Sequence, residues 1–450
     1  MREAPATTPV TPEAATARVP RTMSTQHPDN VAMPFFAERP IGEAIHLTPR
    51  IPNPALEPTQ AKVVLEVLQS LPRHADIARV FYDRERPPIL ELIHPMTTSA
   101  RELVRVREYY ERFVAGMEQV TLGADERPLG AWFGRFSPST VRMIPLIEDR
   151  EHLVTADALV RDYLRARELD HVRVFIARSD PALNYGYVSA VLLALIALQR
   201  LDALERETSV AIYPVIGVGS VPFRGGLAPR TVDRVLATYP SVQTFTIQSA
   251  FKYDHPPDAV RDGIAKLATH ERRAPIPIDE PRALELLERL VARYQSEVQE
   301  LAPLVNAVAR AVPRRRLRKL HVGLFGYNRA SAGVSLPRAI PFCASLYSLG
   351  LPPEVIGIAA LTDADWSWLR ETAPAIESEL ADAARYLDPD VIAQLPASVR
   401  ESIDRASSLV VTDADAEHRE IAREMRRVAD SGGAMSELIV RAAAIRHFLG

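Results

Sequence analysis

The chain has few of the residues and motifs that build several common kinds of site. It contains one cysteine, Cys343, in 450 residues, so it can form neither an intrachain disulfide nor a cysteine-based metal site, which fits a reducing cytoplasm. Its 19 glycines never fall in a G-x-G-x-x-G turn between a strand and a helix, and no Walker A lysine motif or G-x-S-x-G motif occurs. A Rossmann dehydrogenase, a P-loop ATPase and a serine hydrolase are therefore disfavoured.

The chain also lacks a strong excess of charge and a long apolar run. Its formal net charge is −3 at pH 7, which gives no reason to expect nucleic acid or an acidic membrane surface as a partner. The longest apolar run, at 188–198, is shorter than the roughly 18 residues of a membrane span. Residues 1–20 have no apolar core of a secretory signal. We predict a cytoplasmic protein with a disordered leader at 1–20.

Short apolar runs alternate with longer helical segments along most of the chain. Runs typical of strands lie at 89–93, 141–147, 172–176, 211–216, 242–247 and 319–325, and helical patterns lie at 61–71 (ended by Pro72), 155–167, 281–312, 372–386 and 414–449. This alternation indicates a parallel sheet, and at least six such units favour a closed barrel over an open doubly wound sheet. We predict an α/β fold in which residues 21–450 form a single TIM-like (β/α)8 barrel with additional C-terminal helices from about 338.

The stretch VRVFIARSDPALNYG at 172–186 combines a strand, a polar corner and a helix start. Arg178, Ser179 and Asp180 stand where α/β enzymes carry their chemistry, at the carboxyl end of a strand. A cation, a hydroxyl and a carboxylate there suit a phosphorylated or carboxylated ligand beside a metal. The alternative is a capped helix, with Ser179 or Asp180 as the N-cap and Pro181 as the first helical residue.

Polar residues follow several other predicted strands, and a barrel would bring them to one mouth. The set comprises Glu148, Arg178, Asp180, Arg224, Gln248, Lys252 and Arg329. The two carboxylates could hold a hard cation such as Mg²⁺ or Mn²⁺, and the arginines suit a polyanionic substrate. The loop GVGSVPFRGG at 217–226 would let backbone amides approach the same anion. Two alternatives stay open: Arg178 forms a structural ion pair with Asp180 or Glu148, and Gly225-Gly226 is only a turn.

Several longer motifs lie along the chain. They are MSTQHPDN (23–30), RIPNP (50–54), HPMTTS (94–99), IPLIED (144–149), RVFIARSDPALNYG (173–186), YPVIGVGSVPFRGG (213–226), TFTIQSAFKYD (244–254), HVGLFGYNR (321–329) and LPRAIPF (336–342). With these motifs the sequence resembles the archaeal-type phosphoenolpyruvate carboxylases over almost all of residues 21 to 360. The resemblance implies a phosphoenolpyruvate-binding (β/α)8 barrel, Mg²⁺ or Mn²⁺ as the metal, phosphoenolpyruvate and bicarbonate as substrates, and a homotetramer.

The resemblance also implies roles for individual residues. His27 matches the base of the second half-reaction, and Glu148 and Asp180 match the metal ligands. Three arginines match those that hold phosphate and carboxyphosphate: Arg224, Arg329 and Arg338. We further predict substrate contacts from four residues: Arg50, Arg178, Gln248 and Lys252.

The implied reaction is a lyase reaction that fixes carbon dioxide. Phosphoenolpyruvate passes its phosphoryl group to bicarbonate, which leaves carboxyphosphate and the enolate of pyruvate. His27 then takes the proton of carboxyphosphate, and the carbon dioxide that forms is captured by the enolate as oxaloacetate. Arginines and the metal stabilise the anionic transition state.

One part of the family pattern is absent. The resemblance implies a sizeable block with a W-D-x-E-G-K motif between the Pro-Phe-Phe and Arg-Ile-Pro-Asn-Pro segments, but residues 36–48 are a short link without it. We therefore expect an early strand–helix unit of the barrel to be missing. This motivates the alternative of an inactive barrel that binds phosphoenolpyruvate or a partner protein. A metal-dependent 2-oxo-acid lyase or aldolase ranks lower, because an unphosphorylated substrate does not require so many arginines.

Overall fold

Short parallel strands alternate with helices in the first part of the chain, and helices follow in the last part. The computed structural model describes residues 32–123, 125–313, 329–331, 333–392 and 394–450. The strands are β1 (Glu91–His94), β2 (Thr121–Leu122), β3 (Asp125–Pro128), β4 (Arg142–Ile147), β5 (His171–Ala177), β6 (Ala211–Gly217), β7 (Thr244–Phe245), β8 (Arg329–Ser331) and β9 (Val334–Leu336). The helices are α1 (Ala32–Glu38), α2 (Ala61–Tyr82), α3 (Ala100–Phe113), α4 (Leu129–Phe133), α5 (Arg150–Val154), α6 (Ala156–Ala166), α7 (Ser179–Tyr185), α8 (Tyr187–Thr208), α9 (Val232–Thr238), α10 (Ser249–Tyr253), α11 (Pro257–Ala268), α12 (Glu280–Ala309), α13 (Ala339–Ser348), α14 (Asp363–Thr372), α15 (Ile376–Ala384), α16 (Pro389–Ile392), α17 (Ala397–Leu409), α18 (Ala416–Asp430) and α19 (Ser436–Arg446).

Five strands form one parallel sheet whose spatial order follows the chain: β1-β4-β5-β6-β7. Residues 49–51 add a short paired segment beside β1. Arg50 bridges to Ile93 in parallel, and the Ile51 amide donates to the Ile93 oxygen at 3.0 Å. The predicted α/β fold with a parallel sheet is confirmed. The described residues contain fewer strands in this sheet than a closed barrel needs, so the (β/α)8 barrel stays a prediction.

The two faces of the sheet are buried in different ways. On β5, Val172, Val174 and Ile176 belong to the main core, which they share with the helices. Phe175 and Ala177 face the other way. They form a separate, smaller apolar cluster together with Ile93, Ile144, Leu146 and Val215. Alternate residues of each strand therefore point to the helices and to an inner face that the strands fill among themselves.

A polar layer crosses this inner face near the amino ends of the strands. Arg173 of β5 donates to Glu91 of β1 at 2.9 Å and to the Thr244 hydroxyl of β7 at 3.2 Å. The three side chains come from every second strand of the sheet, which is how barrel interiors build their layers. Because the guanidinium and the carboxylate are mostly buried, each depends on the other for charge compensation.

Helix α8 is strongly apolar in its first half. It is long and apolar enough to cross a membrane, but 78% of its most apolar window is buried inside the fold. It packs against α5, α6 and α12. Residues 187–198 are buried on all sides, which explains why this part of the helix is almost entirely apolar, and the charged residues come only from Arg200 onward. Helix α8 is therefore a core helix.

Several element boundaries differ from the sequence prediction. Helix α2 continues through Pro72 to Tyr82, because its buried face, which includes Leu68, Leu71 and Ala75, extends on both sides of the proline. Strand β7 has two residues instead of six. The strand predicted at 319–325 and the leader predicted at 1–20 lie outside the described residues. Helices α13 to α19 lie in the part that was predicted to be helical from about 338.

Replacing Glu91 with alanine should destabilise the fold, because Arg173 would stay buried without its carboxylate. We expect a loss of about 2–3 kcal/mol in the free energy of unfolding, seen as a lower urea midpoint. The matched control is Glu168→Ala, which removes an exposed carboxylate and should change stability by less than about 0.5 kcal/mol. Equal midpoints for the two variants would show that the inner polar layer does not stabilise the sheet.

Candidate functional site

The carboxyl ends of the parallel strands bring five of the ten predicted site residues to one edge of the sheet. Arg50 lies beside β1, and Glu148 directly follows β4. Asp180 lies in the first turn of α7 after β5, Arg224 lies in the loop after β6, and Gln248 lies between β7 and α10. These residues lie at the same edge because the carboxyl ends of parallel strands share one edge of a sheet.

At this edge an ion pair links the segment at 49–51, on one side of β1, to the end of β4, on the other side. Arg50 Nη2 donates to Glu148 Oε1 at 3.2 Å. Glu148 has the same parity as the inward residues Ile144 and Leu146, and its side chain is 2% exposed. Its second oxygen, Oε2, is buried and has no hydrogen-bond partner among the described residues. A buried carboxylate oxygen without a partner is costly, and a cation would satisfy it.

A second cluster is centred on Arg224, which is 6% exposed. Its guanidinium donates to the Ser179 hydroxyl at 3.1 Å, to Gln248 Oε1 at 2.8 Å and to the Gly450 backbone oxygen at 2.7 Å. Gly219 leaves the room for this arrangement, since a Cβ there would lie 3.1 Å from both Arg224 Cζ and Gln248 Oε1. Three neighbouring strand ends thus hold one arginine in a fixed orientation.

The loop at 217–226 has a different role from the one predicted. The amides of Gly219, Arg224, Gly225 and Gly226 all donate to carbonyl oxygens within the loop. They are therefore committed to the loop's own structure and do not form an anion cradle. Gly225 and Gly226 have φ angles of +108° and +66°, which lets the loop turn sharply after Arg224. The loop presents the Arg224 side chain rather than its backbone.

Arg178, predicted to bind substrate, is fully buried on the helix side of the sheet. It donates to the Tyr239 hydroxyl at 3.2 Å and to the Phe223 backbone oxygen at 3.3 Å. The alternative prediction of an ion pair with Asp180 or Glu148 also differs from these contacts. Arg178 instead lowers the pKa of the buried Glu379 carboxyl, against the larger effect of burial, which raises it. We interpret Arg178 as a structural cation that supports the loop from behind.

Two buried carboxylates that the sequence analysis missed support the same loop. Glu354 accepts from the Phe223 amide at 2.6 Å and from the Tyr347 hydroxyl at 2.9 Å, and burial raises its pKa to about 7. Glu379 accepts from the Tyr187 hydroxyl at 2.6 Å and lies against Gly226. Both come from the helical C-terminal part, where a glutamate in the sequence usually indicates a solvent-exposed helix face.

The helix-cap alternative for the 172–186 stretch does not match the structure. Helix α7 begins at Ser179 itself, its N-cap residue is Arg178, and no side chain caps it. Ser179 uses its hydroxyl to accept from Arg224. The polar corner is therefore part of the Arg224 cluster.

Some predicted residues lie outside these two clusters. Lys252 is exposed on α10 and stacks over the Tyr253 ring at 5.1 Å. Arg338 is exposed at the N-terminus of α13. Arg329 lies in β8, which pairs with β9 in a separate two-stranded ribbon. His27 lies outside the described residues.

The donor set at the sheet edge fits a hard divalent cation. No group of three or more His, Cys, Asp or Glu side chains that could hold a metal occurs in the part of the chain that the structure describes. Magnesium, however, commonly uses only one or two protein carboxylates and completes its shell with water and substrate oxygens. Glu148 and Asp180 follow the adjacent strands β4 and β5, and Glu148 Oε2 is the buried oxygen without a partner.

The chain is similar to known proteins over almost its whole length. A family model described as phosphoenolpyruvate carboxylase matches residues 35–450. The chain belongs to the phosphoenolpyruvate carboxylase family. It is 41% identical to the phosphoenolpyruvate carboxylase of Methanospirillum hungatei, with 96% of this chain and 100% of the relative aligned. The proteins of that name from Methanothermobacter thermautotrophicus and Pyrococcus horikoshii are 40% and 39% identical, with the same coverage. The resemblance to archaeal members is confirmed.

The alignments also bear on the block predicted to be absent. The alignment with the Methanospirillum protein has 487 positions, which is more than the 450 residues of this chain. The relative therefore contains residues that have no counterpart here. Their position along the chain is not given by these lengths, so a missing unit between 36 and 48 stays a prediction.

The corner after β1 should make stability depend on pH. His94 is buried, and burial lowers its pKa to about 4; Glu102 opposes this shift, and Arg50 adds to it. The unfolded chain would bind this proton near pH 6.5, so stability is present above that pH and is lost as pH falls towards 4, by up to about 3 kcal/mol. Urea midpoints of wild type and His94→Gln should therefore converge between pH 6.5 and 4. If the urea midpoints of the two proteins instead changed with pH in parallel, the lowered pKa of His94 would not be the cause of the pH dependence.

Proposed function

We propose that this protein carboxylates phosphoenolpyruvate with bicarbonate to give oxaloacetate and phosphate, and that it does so at the edge of the sheet that holds Arg50, Glu148, Asp180 and Arg224. The observation that carries the proposal is that one buried arginine, Arg224, is held in a fixed orientation at the same sheet edge as two carboxylates on adjacent strand ends, in a chain of this family. Phosphoenolpyruvate offers a phosphate and a carboxylate, so its recognition calls for both a cation and bidentate arginines.

Arg224 is the group best placed to hold a phosphoryl oxygen. Three of its five N–H donors are bound by Ser179, Gln248 and the Gly450 oxygen. These contacts fix the guanidinium before an anion binds, so little reorganisation is needed. Arg329 and Arg338 would complete the set that holds phosphate and carboxyphosphate. Arg50 would place its guanidinium between the substrate and Glu148. Gln248 and Lys252 would contact the substrate from the β7 side.

Glu148 and Asp180 would hold the divalent metal, Mg²⁺ or Mn²⁺. When bound, the metal supplies a positive charge that polarises the phosphoryl and enolate oxygens. The ion pair with Arg50 orients Glu148. No organic cofactor is needed for this chemistry.

His27 is proposed as the base of the second half-reaction. After the phosphoryl group has passed to bicarbonate, carboxyphosphate carries one proton on its carboxyl group. Removal of that proton by His27 breaks the carbon–oxygen bond to phosphate and releases carbon dioxide beside the enolate. The enolate carbon then forms the new carbon–carbon bond of oxaloacetate.

The finer architecture is part of the same proposal. A (β/α)8 barrel over residues 21–450 is supported by the strand order, which follows the chain, and by the inner layer built from alternate strands. The resemblance adds a homotetramer, and the single cysteine fits a location in the cytoplasm. An early strand–helix unit would be absent, and the segment at 49–51 would take its place beside β1.

The decisive experiment is a malate dehydrogenase-coupled assay of the purified protein with phosphoenolpyruvate, bicarbonate and Mg²⁺. We expect turnover in wild type. His27→Asn should abolish oxaloacetate but still release phosphate in a bicarbonate-dependent way, because only the second half-reaction needs the base. The control His171→Asn changes a histidine at the opposite end of β5 and should stay active. Calorimetric binding of phosphoenolpyruvate without any turnover in wild type would instead indicate an inactive binding barrel.

Metal binding can be measured separately from turnover. Glu148→Gln should weaken Mn²⁺ binding at least about 10-fold, because one of two protein carboxylates is lost. Electron paramagnetic resonance of free Mn²⁺ gives the dissociation constant directly. The control is Glu151→Gln, which removes an exposed carboxylate three residues away and should leave the constant unchanged. Unchanged Mn²⁺ affinity in Glu148→Gln would place the metal elsewhere.

A further inference from the structure

The turn after Arg50 and the corner after β1 meet through one side chain, Asn53, which is 2% exposed. Asn53 Nδ2 donates to the backbone oxygens of Pro95 at 3.0 Å and Met96 at 3.2 Å. Asn53 Oδ1 accepts from the Ala55 amide at 3.0 Å, which closes the turn locally. Both ends of the amide are therefore in use, and its donor end binds another part of the sheet edge.

The corner that Asn53 holds has an unusual backbone. Met96 has a φ of +48°, a left-handed conformation that a residue with a side chain rarely adopts. Such a conformation persists where the surrounding contacts determine it, and it is common near functional sites. Asn53 donates to the carbonyl oxygen just before Met96, which belongs to Pro95, and to the carbonyl oxygen of Met96 itself. Asn53 is thus the side chain that stabilises the corner from the Arg50 side.

The same corner is tied to the strand that carries Glu148. The Thr97 amide donates to the Leu146 oxygen at 3.0 Å, two residues before Glu148. The Thr97 hydroxyl donates to the His94 oxygen at 2.7 Å, which closes the corner on itself. Contacts therefore run from Asn53 through the corner to β4.

These contacts form a closed circuit with the ion pair. Arg50 lies three residues before Asn53 in the chain, and Glu148 lies two residues after Leu146. The circuit therefore starts at Arg50, passes through Asn53 and the β1 corner, and returns through Glu148 to Arg50. Moving Asn53 away from the corner would let the Arg50 turn shift relative to Glu148.

We propose that Asn53 is a positioning residue that fixes Arg50 relative to Glu148, and so fixes the substrate- and metal-binding groups on this side of the site. The inference rests on the proposed function, because the Arg50–Glu148 geometry matters to turnover only if these residues bind the substrate and the metal. Asparagine suits the position because one neutral group supplies two donors to carbonyl oxygens and one acceptor to an amide. An aspartate would place a negative charge against the two carbonyl oxygens.

The test begins with Asn53→Asp and with Asn53→Ser, which keeps an acceptor for the Ala55 amide and adds no charge. Both should lower kcat/KM by about 10- to 100-fold, since a displacement of about 1 Å at a site costs this much. Calorimetry should show weaker binding of phosphoenolpyruvate in the presence of Mg²⁺, which gives a readout independent of turnover. All proteins are compared well below their thermal unfolding midpoints, which circular dichroism supplies.

Ser402→Ala is the matched control for lost stability. Ser402 is also fully buried, and its hydroxyl donates to Glu297 at 2.6 Å in the helical C-terminal part. We expect this variant to lose thermal stability to a degree similar to Asn53→Ser while its kinetic constants and its binding of phosphoenolpyruvate stay unchanged. If the Asn53 variants behave in the same way as Ser402→Ala, Asn53 is only structural and the proposal is wrong.

A double-mutant cycle with Arg50→Gln tests whether Asn53 acts through Arg50. Because the proposed effect passes through that guanidinium, Asn53→Ser should cost less than about 3-fold in kcat/KM once Arg50 is gone. Effects that multiply in the double variant would overturn the proposal. An inactive wild type would overturn the proposed function itself, whereas an active wild type with multiplying effects would overturn only the role of Asn53.

Discussion

The requirement that a parallel sheet be buried on both faces governs this structure. One face is covered by helices, and the fully buried part of α8, residues 187–198, packs among them. The other face has no helix layer in the described residues and is filled by the strands' own side chains, such as Phe175 and Leu146. Side chains on this inner face cannot reach solvent except at the ends of the strands. The polar residues of the site therefore lie where the inner face opens at the carboxyl ends, and Glu148 is the first residue beyond the apolar layer.

The same constraint explains why charged residues only a few positions apart have different roles. On β5, residues 173, 175 and 177 face inward, whereas 172, 174 and 176 face the helices. Arg178 continues the second series and is buried behind the loop, where it supports the Phe223 backbone. Ser179 lies next along the chain and contacts Arg224 at the site. The alternation of side chains along one strand therefore decides which residue of this corner lies at the candidate site and which one supports the loop.

Much of this arrangement could be read from the sequence, and the failures have physical causes. The alternation of strands and helices and the position of Glu148 after an apolar strand were sufficient to predict a parallel sheet and a carboxylate at its edge. Arg178 was predicted to bind substrate because it follows a strand end. The alternation of side chains along β5 was not considered, and this alternation places Arg178 on the helix side of the sheet. Glu354, in a short buried turn, and Glu379, on helix α15, were missed because a buried carboxylate looks like a solvent-exposed one in the sequence until the loop that it contacts is known. The length of α2 was underestimated because the packing of its apolar face outweighs the hydrogen bond that Pro72 removes.

The attachment of the loop at 217–226 to the C-terminal helices has a consequence for how this protein can change over evolutionary time. The Phe223 amide donates to Glu354, and Gly226 lies against Glu379. The position of the backbone on both sides of Arg224 therefore depends on residues more than a hundred positions away in the chain. A substitution that shifts the helix carrying either glutamate would move the arginine without touching the site. Substitutions in the C-terminal helices are therefore limited by their effect on the position of Arg224 as well as by their effect on stability. Mutations that alter substrate affinity should accordingly be found among buried positions of the C-terminal helices.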